Sequence, residues 1–163
     1  MSKANINRVL DGIDLAILDN LQSNSRITNV NLAKAVNLSA SPCLDRVKRL
    51  EAEGYIKRYG AVLNAAKLNF GLTAYVEVSL DKSTSDVFES FANHVQNIKQ
   101  IAECDMVAGG FDYLLKIRIS DMAEYRSVLG EVVDIKGVAK NRTYVVIEKI
   151  KVDIGLPIAQ LNN

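Results

Sequence analysis

The chain has 163 residues, is 48% hydrophobic and 24% charged, and carries a net charge of +1, which is normal for a globular protein of one ordinary domain or two small ones. No apolar run reaches the roughly 18 residues of a membrane span, and the N-terminus "MSKANINRVLDGIDLAIL" lacks the apolar core and cleavage site of a secretory signal, so a cytoplasmic protein is expected. The charge is uneven: residues 1–66 hold nine Lys/Arg against six Asp/Glu, and residues 67–163 hold eleven against thirteen, which points to an anionic partner for the first part only.

Residues 11–23 read as a helix. Asp11 can cap it, Asp14 suits its first turn, and Ile13, Ile17 and Leu21 share one face. "NSR" ends the pattern. Thr28 can cap a second helix with Val30, Leu32, Ala33 and Val36 facing inward; Asn31 stands where a capping box needs Glu or Gln. "NLS" is a tight turn with Leu38 plugging inward. Ser39 or Ser41 caps a third helix, Pro42 fits its first turn, Cys43, Leu44, Val47 and Leu50 form its apolar stripe, and Gly54 stops it. "YIKRYGAVLN" follows as a short wing or linking strand.

The period then changes. "LTAYVEVSL" places Leu72, Ala74, Val76, Val78 and Leu80 on one strand face. "STSDVFESFANHVQNI" is helical, with Val87, Phe88, Phe91, Val95 and Ile98 inward. "QIAECDMVAGGFDYLLKIRIS" reads as a hairpin in which Gly109 and Gly110 supply positive φ at a tight turn. Ser120 caps a further helix with Met122, Tyr125, Val128, Leu129 and Val132 inward, and "GVAKNRTYVVIEKIKV" is a last strand. The order is βαββαβ, which puts two helices on one face of an antiparallel sheet and leaves the other face for a partner subunit. The domain boundary is expected around Asn64–Gly71. Cys43 and Cys104 each sit in an apolar pattern and read as buried, reduced thiols.

Three short helices with a tight turn before the third form the helix-turn-helix pattern. On the third, Ser39, Ser41, Pro42, Asp45, Arg46 and Arg49 lie on or near the side opposite Cys43, Val47 and Leu50. A major groove admits one helix, whose N-terminal part meets base edges; short hydroxyls can donate and accept there, and Arg46 and Arg49 could pair with guanine edges or phosphates. Lys57 and Arg58, together with Arg26 and Asn29 at the start of the second helix, suit phosphate contacts. A three-helix bundle with a merely solvated basic face would show the same periodicity.

The run "LDGIDLAILDNLQSNSRITNVNLAKAVNLSASPCLDRVKRLEAEGYI" closely resembles the N-terminal domain of the Lrp/AsnC family. "ECDMVAGGFDYLLKIRISDMAEYR" and "NRTYVVIEKIK" resemble its effector-binding domain, so the resemblance covers about Leu10 to Ile158. It implies an α+β protein with an N-terminal winged helix-turn-helix domain (1–63) and a C-terminal ferredoxin-like βαββαβ effector and oligomerisation domain (64–163). Also implied are a cytoplasmic, nucleoid-associated transcription regulator, double-stranded DNA as partner, and homodimers that assemble further, commonly to octamers. The effector implied is a small aliphatic amino acid such as leucine, bound where dimers meet. Carried onto matching positions, its site takes Gly109, Gly110, Phe111 and Asp112 at the hairpin tip, Met122 on the following helix, and Thr143, Tyr144, Val145 and Val146 on the last strand. Relatives often have an acid where this chain has Gly110, which puts any contact of that acid in doubt.

The residue chemistry fits such a ligand, since a glycine turn exposes backbone donors and acceptors to a zwitterion and Met122 with the valines offers an apolar wall. Each residue also has a plainer reading, as core, turn or strand packing. The single histidine, His94, has no ligand-spaced partner, and no phosphate loop or nucleophile–base pair occurs, so neither a metal site nor an enzyme is expected. The alternative to a ligand-controlled regulator is an architectural DNA-compacting protein without ligand control.

Overall fold

The computed structural model describes residues 9–151 and 155–158. Two compact units divide the chain: Met1–Val62 together with Lys151–Asn163, and Leu63–Ile150. The C-terminal stretch thus joins the first unit, where the sequence places it in the second. The last strand, expected from the sequence to run to Val152, ends at Val145, and Val152 itself lies outside the described residues.

In the first unit, α1 (Gly12–Ser23), α2 (Asn29–Ala35) and α3 (Ala40–Ala52) enclose Ile17, Leu21, Leu32, Ala33, Val36, Cys43 and Leu50. Each helix starts and stops for a local reason. Asp11 and Asp14 form a reciprocal capping box on α1, and Thr28 Oγ1 accepts from the Asn31 amide at the start of α2. α2 ends on Asn37, whose φ of 55° is left-handed. The Leu38 amide donates to the Ala33 carbonyl and Asn37 to Lys34, a Schellman closure that turns the chain tightly into α3. Gly54, with φ 79°, closes α3 in the same way through Tyr55 to Leu50 and Gly54 to Glu51. Ser39 occupies the N-cap position of α3 but its side chain makes no capping bond.

Several expectations need correction in this unit. Val30 and Leu44, expected to face inward, are exposed. The helical period fixes a stripe, and both residues fall at its edge, where no third element covers them. Residues 55–64 hold no strand, so the wing is an extended segment rather than part of a sheet. Gly60 and its polar neighbours find no partner strand among the described residues.

The second unit is a four-stranded antiparallel sheet with strand order β2-β3-β1-β4. Its elements run β1 (Leu72–Leu80), α4 (Ser85–Val95), β2 (Ile101–Met106), β3 (Tyr113–Ile119), α5 (Met122–Val133) and β4 (Val138–Val145), the expected βαββαβ order. Strand alternation puts Ala74, Val76 and Val78 beside Ile117, Leu115 and Tyr113 on one sheet face. That face packs on Phe91 and Val95 from α4 and on Tyr125, Val128 and Val132 from α5. Phe91 and Tyr113 meet at 4.5 Å between ring centroids. The opposite face carries Tyr75, Glu77, Leu114, Lys116, Arg142 and Tyr144, a mixed and partly exposed surface.

Three expectations change in this unit. Asp121, not Ser120, caps α5, accepting from the Ala123 and Glu124 amides. Cys104 is exposed, because β2 is a sheet edge whose own residues are left uncovered. Met122, expected to face inward, is 46% exposed at the first position of α5.

Candidate nucleic-acid interface and effector site

The Asn37 closure sets α3 across the end of α2. Asn29 Nδ2 donates to the Ala40 carbonyl at 2.8 Å, which fixes the start of α3 to α2. Asn29 is therefore partly spent inside the helix-turn-helix. Ser39, Ser41, Pro42 and Asp45 lie on the exposed side of α3, as the helical wheel predicts. Leu44 and Lys48 share that side. Sequence reasoning misses both, because Leu44 fits the apolar stripe of α3 and Lys48 stands between two arginines better suited to planar base edges. Arg26, Lys57 and Arg58 are exposed. The Tyr59 hydroxyl donates to Glu51 Oε1 at 2.8 Å and ties the segment bearing Lys57 and Arg58 back to α3. Burial and that carboxylate push the Tyr59 phenol up to about 12.

Arg46 and Arg49 are placed differently. Arg46 Nη1 reaches Asp11 Oδ2 at 2.7 Å and Asp14 Oδ1 at 2.8 Å, and Arg49 Nη2 approaches the same Asp14 oxygen at 2.6 Å. The two guanidinium groups are turned sideways onto the first turn of α1, and their side chains are 27% and 24% exposed. Asp14 itself is 1% exposed. Burial by itself raises its carboxyl, but the Arg49 and Arg46 guanidiniums and the Asp11 amide outweigh that and hold it below the ordinary aspartate value. Asp11 is lowered chiefly by its hydrogen bond from Arg46. One signal for this network is present in the sequence. Asp14 stands on the stripe Leu10, Asp14, Ile17, Leu21, and an acid on a core-facing stripe demands a buried cation.

The residues assigned to an effector site split into two groups. Gly109, Gly110 and Phe111 lie in the β2–β3 loop, which closes on the Val78–Leu80 end of β1. There Asp112 donates its amide to the Val78 carbonyl, and its Oδ2 accepts from the Leu80 amide at 2.7 Å. A bulge between Ser79 and Leu80 frees that amide from the strand ladder, and the Asp112 carboxylate captures it. Met122, Tyr144, Val145 and Val146 lie at the opposite end of the sheet: Val145 is paired with Ala74, and the Val146 amide donates to the Thr73 carbonyl. Thr73 and Val78 are five residue steps apart along β1, about 17 Å of strand. Thr143 turns toward α5, where its Oγ1 accepts from the Tyr125 hydroxyl at 2.6 Å. One chain therefore does not bring the two groups together.

Neither Gly109 nor Gly110 has positive φ, contrary to the tight-turn expectation, because the hairpin is closed by a longer loop rather than a two-residue turn. A Cβ built on either meets nothing within 4 Å. The fold of this chain does not require glycine there; the open space is available to a ligand or a neighbouring protomer. Among the described residues no group of three or more His, Cys, Asp or Glu could hold a metal ion, and no helix is long and apolar enough to cross a membrane.

Comparison with known proteins bears on both halves. Residues 73–156 match the Lrp/AsnC ligand binding domain family and residues 10–57 match the winged helix-turn-helix DNA-binding family. The chain is 48% identical over 151 residues to the leucine-responsive regulatory protein of Escherichia coli K12, covering 92% of each. It is 49% identical over 146 residues to that of Haemophilus influenzae, covering 89% of this chain and 88% of the relative. A transcriptional regulator from Neisseria meningitidis, solved in complex with L-Met, superposes with a TM-score of 0.88 at 37% identity, over 94% of this chain and 99% of that one. An AsnC family transcriptional regulator from Agrobacterium tumefaciens does so at 28% identity and the same TM-score, over 93% of this chain and 99% of that one.

Proposed function

The chain belongs to the Lrp/AsnC family, and on that premise we propose that it is a transcription regulator that reads duplex DNA with α3 and answers to a small aliphatic amino acid. The observation that carries the first half is the exposed side of α3. Ser41, Asp45 and Lys48 stand free on a helix whose N-terminus is held by Asn29 and the Asn37 turn. Short polar groups there suit base edges, while Arg26, Lys48, Lys57 and Arg58 supply phosphate contacts. A dimer presenting two such helices meets half-sites about one helical turn or a multiple apart.

The second half is supported by the relatives named for leucine response and by the L-Met complex of the Neisseria regulator. The amino acid is held by the Gly109–Phe111 loop of one protomer together with the Met122 and Val145 end of another, because a single chain keeps these about 17 Å apart. A ligand that needs two chains couples its own binding to assembly, and the coupling is reciprocal. The protein then works as a homodimer joined into a larger ring, an octamer, in the cytoplasm and on the nucleoid, without enzymatic activity. Leucine titrated by calorimetry into the full chain, with molecular mass followed by light scattering, tests this reading. Heat and a leucine-dependent change in mass are expected. No heat from leucine, methionine or alanine, with DNA binding intact, would leave an architectural DNA-compacting protein instead.

A further inference from the structure

We propose that Asp14, assisted by Asp11, sets the strength and salt dependence of DNA binding: it holds Arg46 and Arg49 away from the DNA backbone and so limits sequence-independent attraction. The inference rests on the reading that α3 enters duplex DNA. α3 has three cations, Arg46, Lys48 and Arg49, and the two arginines are bound to two carboxylates of α1. Of the three, Lys48 alone is exposed.

The geometry favours retention of these pairs when DNA binds. Asp14 is 1% exposed, and a carboxylate left in that position without cations would be costly. Asp11 and Asp14 also sit in the capping box of α1, where the helix N-terminus stabilises negative charge and keeps the acids in place. Arg46 Nη1 lies 2.7 to 2.8 Å from three oxygens of the two acids, so pulling it to a phosphate gives up contact with two carboxylates for contact with one phosphate. Arginine–phosphate attraction is the same for every sequence. Withholding it lowers affinity for every duplex by the same factor and shallows the salt dependence, while the base contacts of Ser41 and its neighbours remain the sequence-dependent part of binding.

The test measures affinity of the full chain for poly(dI-dC) duplex as a function of salt, for wild type, for Asp11→Asn with Asp14→Asn, and for that variant carrying Arg46→Gln and Arg49→Gln as well. Every additional phosphate neutralised by the protein steepens the slope of log affinity against log salt by about 0.9. Releasing both arginines steepens it by up to about 1.8 per protomer, which makes the double variant lose about 12-fold more affinity than wild type between roughly 50 and 200 mM salt. The further Arg→Gln changes are expected to restore the wild-type slope. If the double variant does not fold, Asp11→Asn alone, at an exposed carboxylate that touches only Arg46 among the arginines, leaves Arg46 held by Asp14 alone and is expected to steepen the slope by a part of the roughly 0.9 that full release would give. A folded variant with the wild-type slope, or a steeper slope that survives the Arg→Gln changes, overturns the proposal. A wild-type protein without salt-dependent binding would instead overturn the DNA-reading assignment beneath it.

Discussion

Asp112 separates two explanations of the β2–β3 loop. The family resemblance makes it a ligand contact, whereas the structure gives its carboxylate a task inside the fold, the capture of the Leu80 amide at 2.7 Å. Asp112→Ala removes a charged acceptor and leaves that amide, set free by the neighbouring bulge, without its partner. A hydrogen bond to a charged group contributes about 1.5–3 kcal/mol, and the half-buried setting lets water replace part of it, so a loss of about 1.5 kcal/mol is expected. Asp112→Asn keeps an oxygen acceptor and is expected to lose about 0.5 kcal/mol. Urea unfolding of the full chain measures both as a lower midpoint at unchanged slope, and leucine calorimetry on the same samples reads the ligand site. Asp112→Ala should weaken the leucine response through a loosened loop, and Asp112→Asn should largely keep it. An Asp112→Ala protein with the wild-type midpoint refutes the anchoring argument. Asp112→Asn that folds normally yet gives no heat with leucine shows that the charge itself meets the ligand.

Three further outcomes follow from the first unit. Asn37→Gly relieves a left-handed φ at the turn into α3 and is expected to be neutral to about 0.5 kcal/mol stabilising, while Asn37→Val should cost about 1–2 kcal/mol, both read by thermal unfolding. Asp11 and Asp14 are held below the ordinary aspartate value of 3.8. Their contribution is therefore complete above about pH 5 and is lost as pH falls through and below that value, so the urea midpoint of Asp14→Asn should vary less between about pH 5 and 2.5 than that of wild type. At Gly155, with φ 134°, a Cβ would meet Gln22 Oε1 at 2.4 Å, and Gln22 is the residue that both donates to and accepts from the Leu156 backbone. Gly155→Ala should cost about 1–3 kcal/mol of local stability and abolish hydrogen-exchange protection of the Leu156 amide, as should Gln22→Ala.

What the sequence carried, and what it did not, divides along one physical line. Periodicity decides where a Cβ points, and it correctly placed Ile17, Leu50, Val76 and Phe91 in their cores and ordered the βαββαβ unit. It does not decide where a long side chain ends. Arg46 and Arg49 leave α3 toward its polar side, yet their guanidiniums finish on carboxylates more than thirty positions earlier in the chain, at a helix contact that no local spacing encodes. The same limit applies to the effector residues. Gly109 and Val145 both belong to the resemblance, but strand register sets them at opposite ends of β1, and register is a property of the folded sheet. The glycines illustrate the point from the other side. Their φ values turn out ordinary, so the turn argument for them fails, and the open volume where a Cβ would stand is what remains to explain. Internal packing leaves that volume free, and a second protomer bringing its Met122 end toward the loop would convert it from an unexplained gap into half of a site.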